Sequence, residues 1–165
     1  MKNIIDSLES LIEEPSKGLP EEIFLFATRI TPMINVDLLI KNEDGHTLLT
    51  WRDDGYHKAG WHVPGGIIRF KEKIAKRIRA VALNELGVKV KFKSSPIAVN
   101  EVIIPSHKNR GHFISLLHQC TLTGSLKENI RYKRGVPNPG EWAWHRKCPK
   151  NIIPVHKMYS KYINA

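Results

Sequence analysis

Apolar residues recur with a helical period at the start of the chain. Ile4, Ile5, Leu8, Leu11 and Ile12 form a stripe over residues 3–13 that ends at Pro15 and Gly18. This pattern predicts a helix packed on the domain or on a second subunit. A second helix is expected over 21–29, opened by Pro20, with Glu21 and Glu22 in its first turn, Arg29 near its last and Pro32 as its stop. Residues 33–41 then read as an apolar strand carrying one acid, Asp37. Asn42-Glu43-Asp44-Gly45 predicts a hairpin turn into a strand over 47–52. A polar loop over 53–60 leads through Trp61-His62-Val63-Pro64 to Gly65-Gly66. From about 71 to 86 the apolar positions Ile74, Ile78, Ala82 and Leu86 recur every fourth residue, the spacing of a helix face, and Gly87 is a natural stop.

Strands are expected near 89–92, 97–104 and 112–123, followed by a basic loop over 127–140 and a short strand over 141–145. Pro154 should open a last amphipathic helix that uses Val155, Met158, Tyr159 and Tyr162. Strands and helices in this order predict an α/β fold, a mixed sheet with helices on both faces. The division expected is an N-terminal helix and linker over 1–18 and one domain over 19–165.

Composition adds limits. At 165 residues the chain fits a single domain with a sizeable core. No apolar run reaches the roughly 18 residues of a membrane span, and Met1-Lys2-Asn3-Ile4-Ile5-Asp6 lacks the apolar stretch of a signal peptide. Cys120 and Cys148 make no disulfide framework and no metal-ligand pair. The expectation is a cytoplasmic protein with reduced thiols and no membrane partner.

Lys plus Arg number 26 against 16 Asp plus Glu, a net charge of +10 that attracts anions. Its densest part, Lys71, Lys73, Lys76, Arg77 and Arg79, falls on one expected helix. A solvated basic surface explains such charge as well as a specific partner does. Without an aromatic platform or a DNA-reading motif, nucleic acid is not favoured.

Pro64-Gly65-Gly66, Glu72, Glu85, Gly87 and Val88 carry the chemistry: a loop that lets backbone approach a ligand, then a helix bearing carboxylates. Their spacing resembles the Nudix box, which reads Gly, five residues, Glu, seven residues, Arg-Glu-apolar-x-Glu-Glu-x-Gly-apolar. Gly66, Glu72, Glu85, Gly87 and Val88 match it, whereas Ala80, Val81 and Asn84 stand where the family has its Arg, first Glu and second Glu. The resemblance implies a Nudix-type α/β/α sandwich with a mixed sheet and an extra N-terminal helix. In the family the Glu72 carboxylate pairs with the box Arg and braces the loop. Ala80 cannot serve there; Lys76, a helical turn beyond Glu72, can pair with it, and Arg77 and Arg79 are the other basic neighbours.

Over residues 22–145 the chain is similar to the GDP-mannose mannosyl hydrolase branch, which also lacks one of the paired box glutamates, binds a single metal and is dimeric. The matching segments are Glu22-Ile23-Phe24, Thr31 to Leu38, Leu48 to Arg52 and Gly60 to Gly66. The implied reaction is Mg²⁺- or Mn²⁺-dependent hydrolysis of a nucleoside diphosphate linked to another group, such as the nucleotide sugar GDP-mannose. Glu85 and the Gly65 carbonyl would hold the metal, Arg52 would contact the diphosphate, and Asp37 would sit at the nucleotide side. Glu85 could equally be a solvated helix-end residue, Arg52 a strand-end charge and Asp37 a hydrogen-bonded strand acid.

Ile67 replaces an arginine that the branch carries after the glycines, and the branch's Gln and His are missing from residues 136–144. Asn138 could supply a metal-binding amide oxygen there and Glu141 a base. His57, His62 and His112 are packed or surface histidines or cleft residues, and Trp61, Trp142 and Trp144 core or rim residues unless one stacks on a base. Two other readings stand beside hydrolysis. One is a catalytically impaired nucleotide-binding module; the other is a basic nucleic-acid or protein partner on the same scaffold.

Overall fold

A computed structural model describes residues 2–55 and 58–165. Helices α1 (Lys2–Ser10) and α2 (Glu21–Ile30) lead into strand β1 (Met33–Ile40). Ile4, Ile5, Leu8 and Leu11 of the first segment are exposed, so α1 does not pack on its own domain. Gly45 takes φ +77 at the expected turn, where Gly45 N–H bonds to the Asn42 carbonyl at 3.0 Å. Beyond an isolated Lys41–Thr47 bridge, however, β1 and β2 (Thr47–Arg52) separate into different sheets instead of forming a hairpin. Each finds other partners along its length.

Two short strands follow, β3 (Gly60–His62) and β4 (Gly65–Ile67), then α3 (Ile74–Val81). The helix begins later than its apolar spacing suggests, because Lys71 at φ +55 and the Glu72 N–H bond to the Arg69 carbonyl (3.1 Å) make a turn there. Its last turn widens into a π-turn over Ala82–Leu86 and stops at Gly87, φ +67. Strands β5 (Val90–Phe92), β6 (Ala98–Ile103), β7 (His112–Leu122) and β8 (Trp142–His145) complete the sheets.

Among the described residues the strands form a mixed sheet in the order β4-β1-β7-β5, with β6 also paired to β7, and an antiparallel sheet in the order β3-β2-β8. The β1–β7 pair is parallel. After β8, a 3₁₀ segment (Pro154–Tyr159) runs into α4 (Ser160–Ile163). The buried face of this segment is His156, Tyr159 and Ile163. Met158 and Tyr162 are partly buried against the core cluster that includes Tyr159 and Ile163.

The period of two along the strands divides the core. Val36, Leu38, Ile40 and Leu48 face α3 through Ile78, Val81, Ala82 and Leu86. Leu39, Leu49 and Trp51 face the other way, onto Tyr159 and Ile163. The sheets are thus covered on both sides, an α/β sandwich. Trp61 and Trp142 lie in this core and Trp144 is partly buried against it.

Ile78 is fully buried whereas Ile74, a turn earlier, is 38% exposed. Ile78→Ala should therefore cost about 2–5 kcal/mol in urea unfolding, and Ile74→Ala markedly less. Equal costs would show that α3 does not seat as described.

Candidate active site

Alternation in β2 turns Thr50 towards the α3 side, while its antiparallel register with β3 sets Thr50 opposite His62. The π-turn after α3 brings Glu85 to the same place. Gly65 N–H donates to Glu85 Oε1 at 3.0 Å, and the Thr50 hydroxyl donates to Glu85 Oε2 at 3.2 Å. His62 Nε2 is 3.3 Å from Oε2, and His62 Nδ1 lies 2.8 Å from the Thr50 carbonyl. That carbonyl can only accept, so Nδ1 carries a proton and Nε2 is the nitrogen that faces the carboxylate.

Gly65 is held from its other side by Asp37. The β1–β4 register pairs Asp37 with Gly65, and a Cβ at Gly65 would lie 2.0 Å from Asp37 Oδ1 and 2.9 Å from the Val36 carbonyl oxygen. Only glycine fits. Asp37 is buried and accepts from the Ser115 hydroxyl and, at 2.7 Å, from the Tyr159 hydroxyl. Burial pushes its carboxyl up to about 6 against those two donors, with Glu85 adding to the rise and His62 opposing it. Burial and Asp37 together push the Tyr159 hydroxyl up, so it remains a donor.

Below the glycines, Glu72 is braced by Arg77 and not by Lys76. Glu72 Oε2 accepts from Arg77 Nε at 2.7 Å and from Arg69 N–H at 3.1 Å, and the second Arg77 contact is also 2.7 Å. The two side chains are 9% and 4% exposed. Burial works against the Glu72 anion, but the Arg69 amide and the Arg77 guanidinium outweigh it and hold the carboxyl below its ordinary value. Arg77 thus performs the bracing that Ala80 cannot.

Two adjoining cavities share Arg52, His62 and Gly65 in their walls. One, of about 530 Å³, is completed by Thr50, Glu85, Asn84 and Gly140; the other, of about 170 Å³, by Asp37, Asn35, Arg110 and His156. Arg52 reaches both while paired with Asp54 (Nε to Oδ2 2.6 Å). Of the residues expected at the site, Asp37, Arg52, Gly65 and Glu85 therefore come together. Asn138 and Glu141 do not line either cavity. They bond to each other in the loop before β8, Asn138 N–H to Glu141 Oε2 at 2.9 Å and Asn138 Nδ2 to Oε1 at 3.3 Å. His112 sits on the sheet surface 3.3 Å from Glu101, and His57 lies outside the described residues.

Thr50, Ser115, Tyr159, Arg110 and His156 were not anticipated. A serine at an inward position of the apolar run Phe113-Ile114-Ser115-Leu116-Leu117 was the one local signal available. Among the described residues, no three His, Cys, Asp or Glu side chains are grouped to hold a metal ion. Glu85 offers a single carboxylate on the cavity wall, and one carboxylate fits Mg²⁺ or Mn²⁺ when waters and substrate phosphates complete the shell.

No protein-family model matches the chain. A curated relative, the low-salt glycan biosynthesis protein Agl8 of Haloferax volcanii, is 32% identical over 82 residues, 50% of this chain and 52% of that protein. The chain thus spans about half the length of this relative. Similar solved structures include a MutT Nudix hydrolase from Burkholderia pseudomallei (TM-score 0.64, 16% identity, 81% of this chain and 98% of that one). A Nudix hydrolase from Nitrosomonas europaea gives 0.58 with 16% identity over 81% and 70% of the two chains. An ADP-ribose pyrophosphatase from Streptococcus suis gives 0.53 with 18% identity over 81% and 87%.

Two outcomes test this geometry. Arg77→Met strands a buried Glu72 and should cost about 3 kcal/mol in chemical denaturation, whereas Lys76→Met should be near neutral. For Asp37, the folded carboxyl keeps its proton up to about 6 while an ordinary one loses it near 3.8. The folded state therefore binds the extra proton between those values, so this group's contribution falls as pH rises through that window and is flat above it. Relative to wild type, Asp37→Asn should gain on the order of 3 kcal/mol between pH 4 and pH 7, measured by urea unfolding at each pH. These positions are carried by strands and a helix arranged as in the Nudix hydrolases, and the chain has the Nudix fold.

Proposed function

We propose that the chain hydrolyses a nucleoside diphosphate linked to another group, with a nucleotide sugar such as GDP-mannose as the preferred substrate. The observation that carries this reading is Glu85, held at the Gly65 amide on the wall of a cavity that Arg52 also lines. Glu85 and the Gly65 carbonyl would hold Mg²⁺ or Mn²⁺, which when bound supplies positive charge to the diphosphate. Arg52 offers a fork of donors to the departing diphosphate. His62, its Nδ1 committed to Thr50, keeps Nε2 against Glu85 Oε2 and orients that carboxylate. Asn138 and Glu141 are left out of this scheme because they satisfy one another. The relative from Haloferax volcanii is named for glycan biosynthesis, which accords with a sugar-linked substrate.

A second reading is favoured by the small number of acids at the site. With one box carboxylate at the cleft and Glu141 engaged elsewhere, the chain would bind a nucleoside diphosphate without turning it over. Incubation with a panel of nucleotide sugars and related diphosphates, in Mg²⁺ and in EDTA, separates the two. Hydrolysis predicts metal-dependent products, lost in Glu85→Gln by at least about a hundredfold. Full activity in Glu85→Gln overturns the metal assignment. Binding without products in wild type establishes the second reading.

A further inference from the structure

A diphosphate bears a charge on each phosphoryl group. Arg52 alone is a poor match for it, because Asp54 already offsets part of its charge at 2.6 Å. A second arginine lines the smaller cavity. Arg110, from the loop joining β6 and β7, lines it together with Arg52, His62 and Ile67.

Two contacts fix Arg110 in place. Its N–H donates to the Thr28 hydroxyl at 3.1 Å, and Thr28, the buried residue of α2, in turn donates to the Leu25 carbonyl at 2.9 Å. Its guanidinium carbon lies 5.9 Å from the centre of the Phe24 ring, also on α2. The loop itself is closed by Ile104 N–H bonding to the Gly111 carbonyl at 2.6 Å, and a Cβ at Gly111 would come within 2.8 Å of the His107 carbonyl oxygen. Within this frame Arg110 adopts φ +54, a left-handed conformation unfavourable for any residue but glycine. Strained backbone of this kind persists where surrounding contacts over-determine it, and it clusters at ligand sites.

We propose that Arg110 is a diphosphate-binding residue, held by Thr28 and Phe24 at the wall of the smaller cavity, and that it supplies a second guanidinium beside Arg52. With Arg52 it makes the site select a diphosphate over a monophosphate. This rests on the reading of the cleft as a nucleoside diphosphate site. The role of α2 follows: its buried face backs the Arg110 loop.

The test is calorimetric titration of GDP, GMP, ADP and AMP into wild type, Arg110→Gly, Arg110→Gln and Arg52→Met, with Mg²⁺ and with EDTA. Glycine suits φ +54, so Arg110→Gly should keep the wild-type thermal midpoint, and Arg110→Gln retains the aliphatic stem over Phe24. Both should bind the diphosphate about 10- to 100-fold more weakly, the worth of a charge-assisted contact, with monophosphate affinity changed far less. Diphosphate affinity unchanged in both Arg110 variants, with Arg52→Met weakened, overturns the role of Arg110 and leaves the cleft reading standing. Equal losses of diphosphate and monophosphate also overturn it, since they mark a distorted loop. Wild type that binds none of the four overturns both.

Discussion

A Cβ at Gly65 has nowhere to go: the Asp37 carboxylate and the Val36 carbonyl occupy its space, and the amide beside it is committed to Glu85. This close approach joins the two sides of the molecule. Asp37 looks towards Tyr159 and the C-terminal helical segment, while Glu85 arrives from α3 on the opposite face. Each layer thus contributes a carboxylate to one glycine, and the sheets between them set the separation. The position of the candidate metal site follows from that packing and not from the loop alone.

The loop needs a second anchor, and the Glu72–Arg77 pair provides it. Both side chains are nearly closed to solvent, so the pair cannot be lost from one side without leaving a buried charge. In the Nudix box that the chain resembles, the position of Ala80 holds an arginine. Here the guanidinium at this glutamate comes from Arg77. An edited box therefore does not imply a collapsed loop: the brace and the cleft carboxylate persist though three box positions differ.

Much of the architecture could be read from the residues. An apolar run with one acid marked β1, the fourfold spacing of Ile74, Ile78, Ala82 and Leu86 marked α3, and Gly87 marked its end. Helical spacing put Lys76 ahead of Arg77 and Arg79 as the brace, for a definite reason. Pairing Glu72 with Lys76 presumes that both lie on one helix, but Glu72 sits in the turn before Ile74, where helical spacing does not apply. Gly65 and Glu85 were legible through the box spacing, and Asp37 and Arg52 only through the resemblance of their strands to the mannosyl hydrolase branch. Ser115, Tyr159 and Arg110 reach the site only through strand pairing and the return of the chain terminus, which no local pattern records. Asn138 and Glu141 had suitable chemistry, but a three-residue separation let them satisfy each other.

The central claim is that one carboxylate at the Gly65 amide suffices for a metal site once the loop is braced. Titration of Mn²⁺ into the protein with a bound nucleoside diphosphate, followed by electron paramagnetic resonance, tests it without reference to turnover. The account predicts a single ion per chain in wild type, much weakened in Glu85→Gln. Undiminished binding in Glu85→Gln, or no bound ion in wild type, would contradict it.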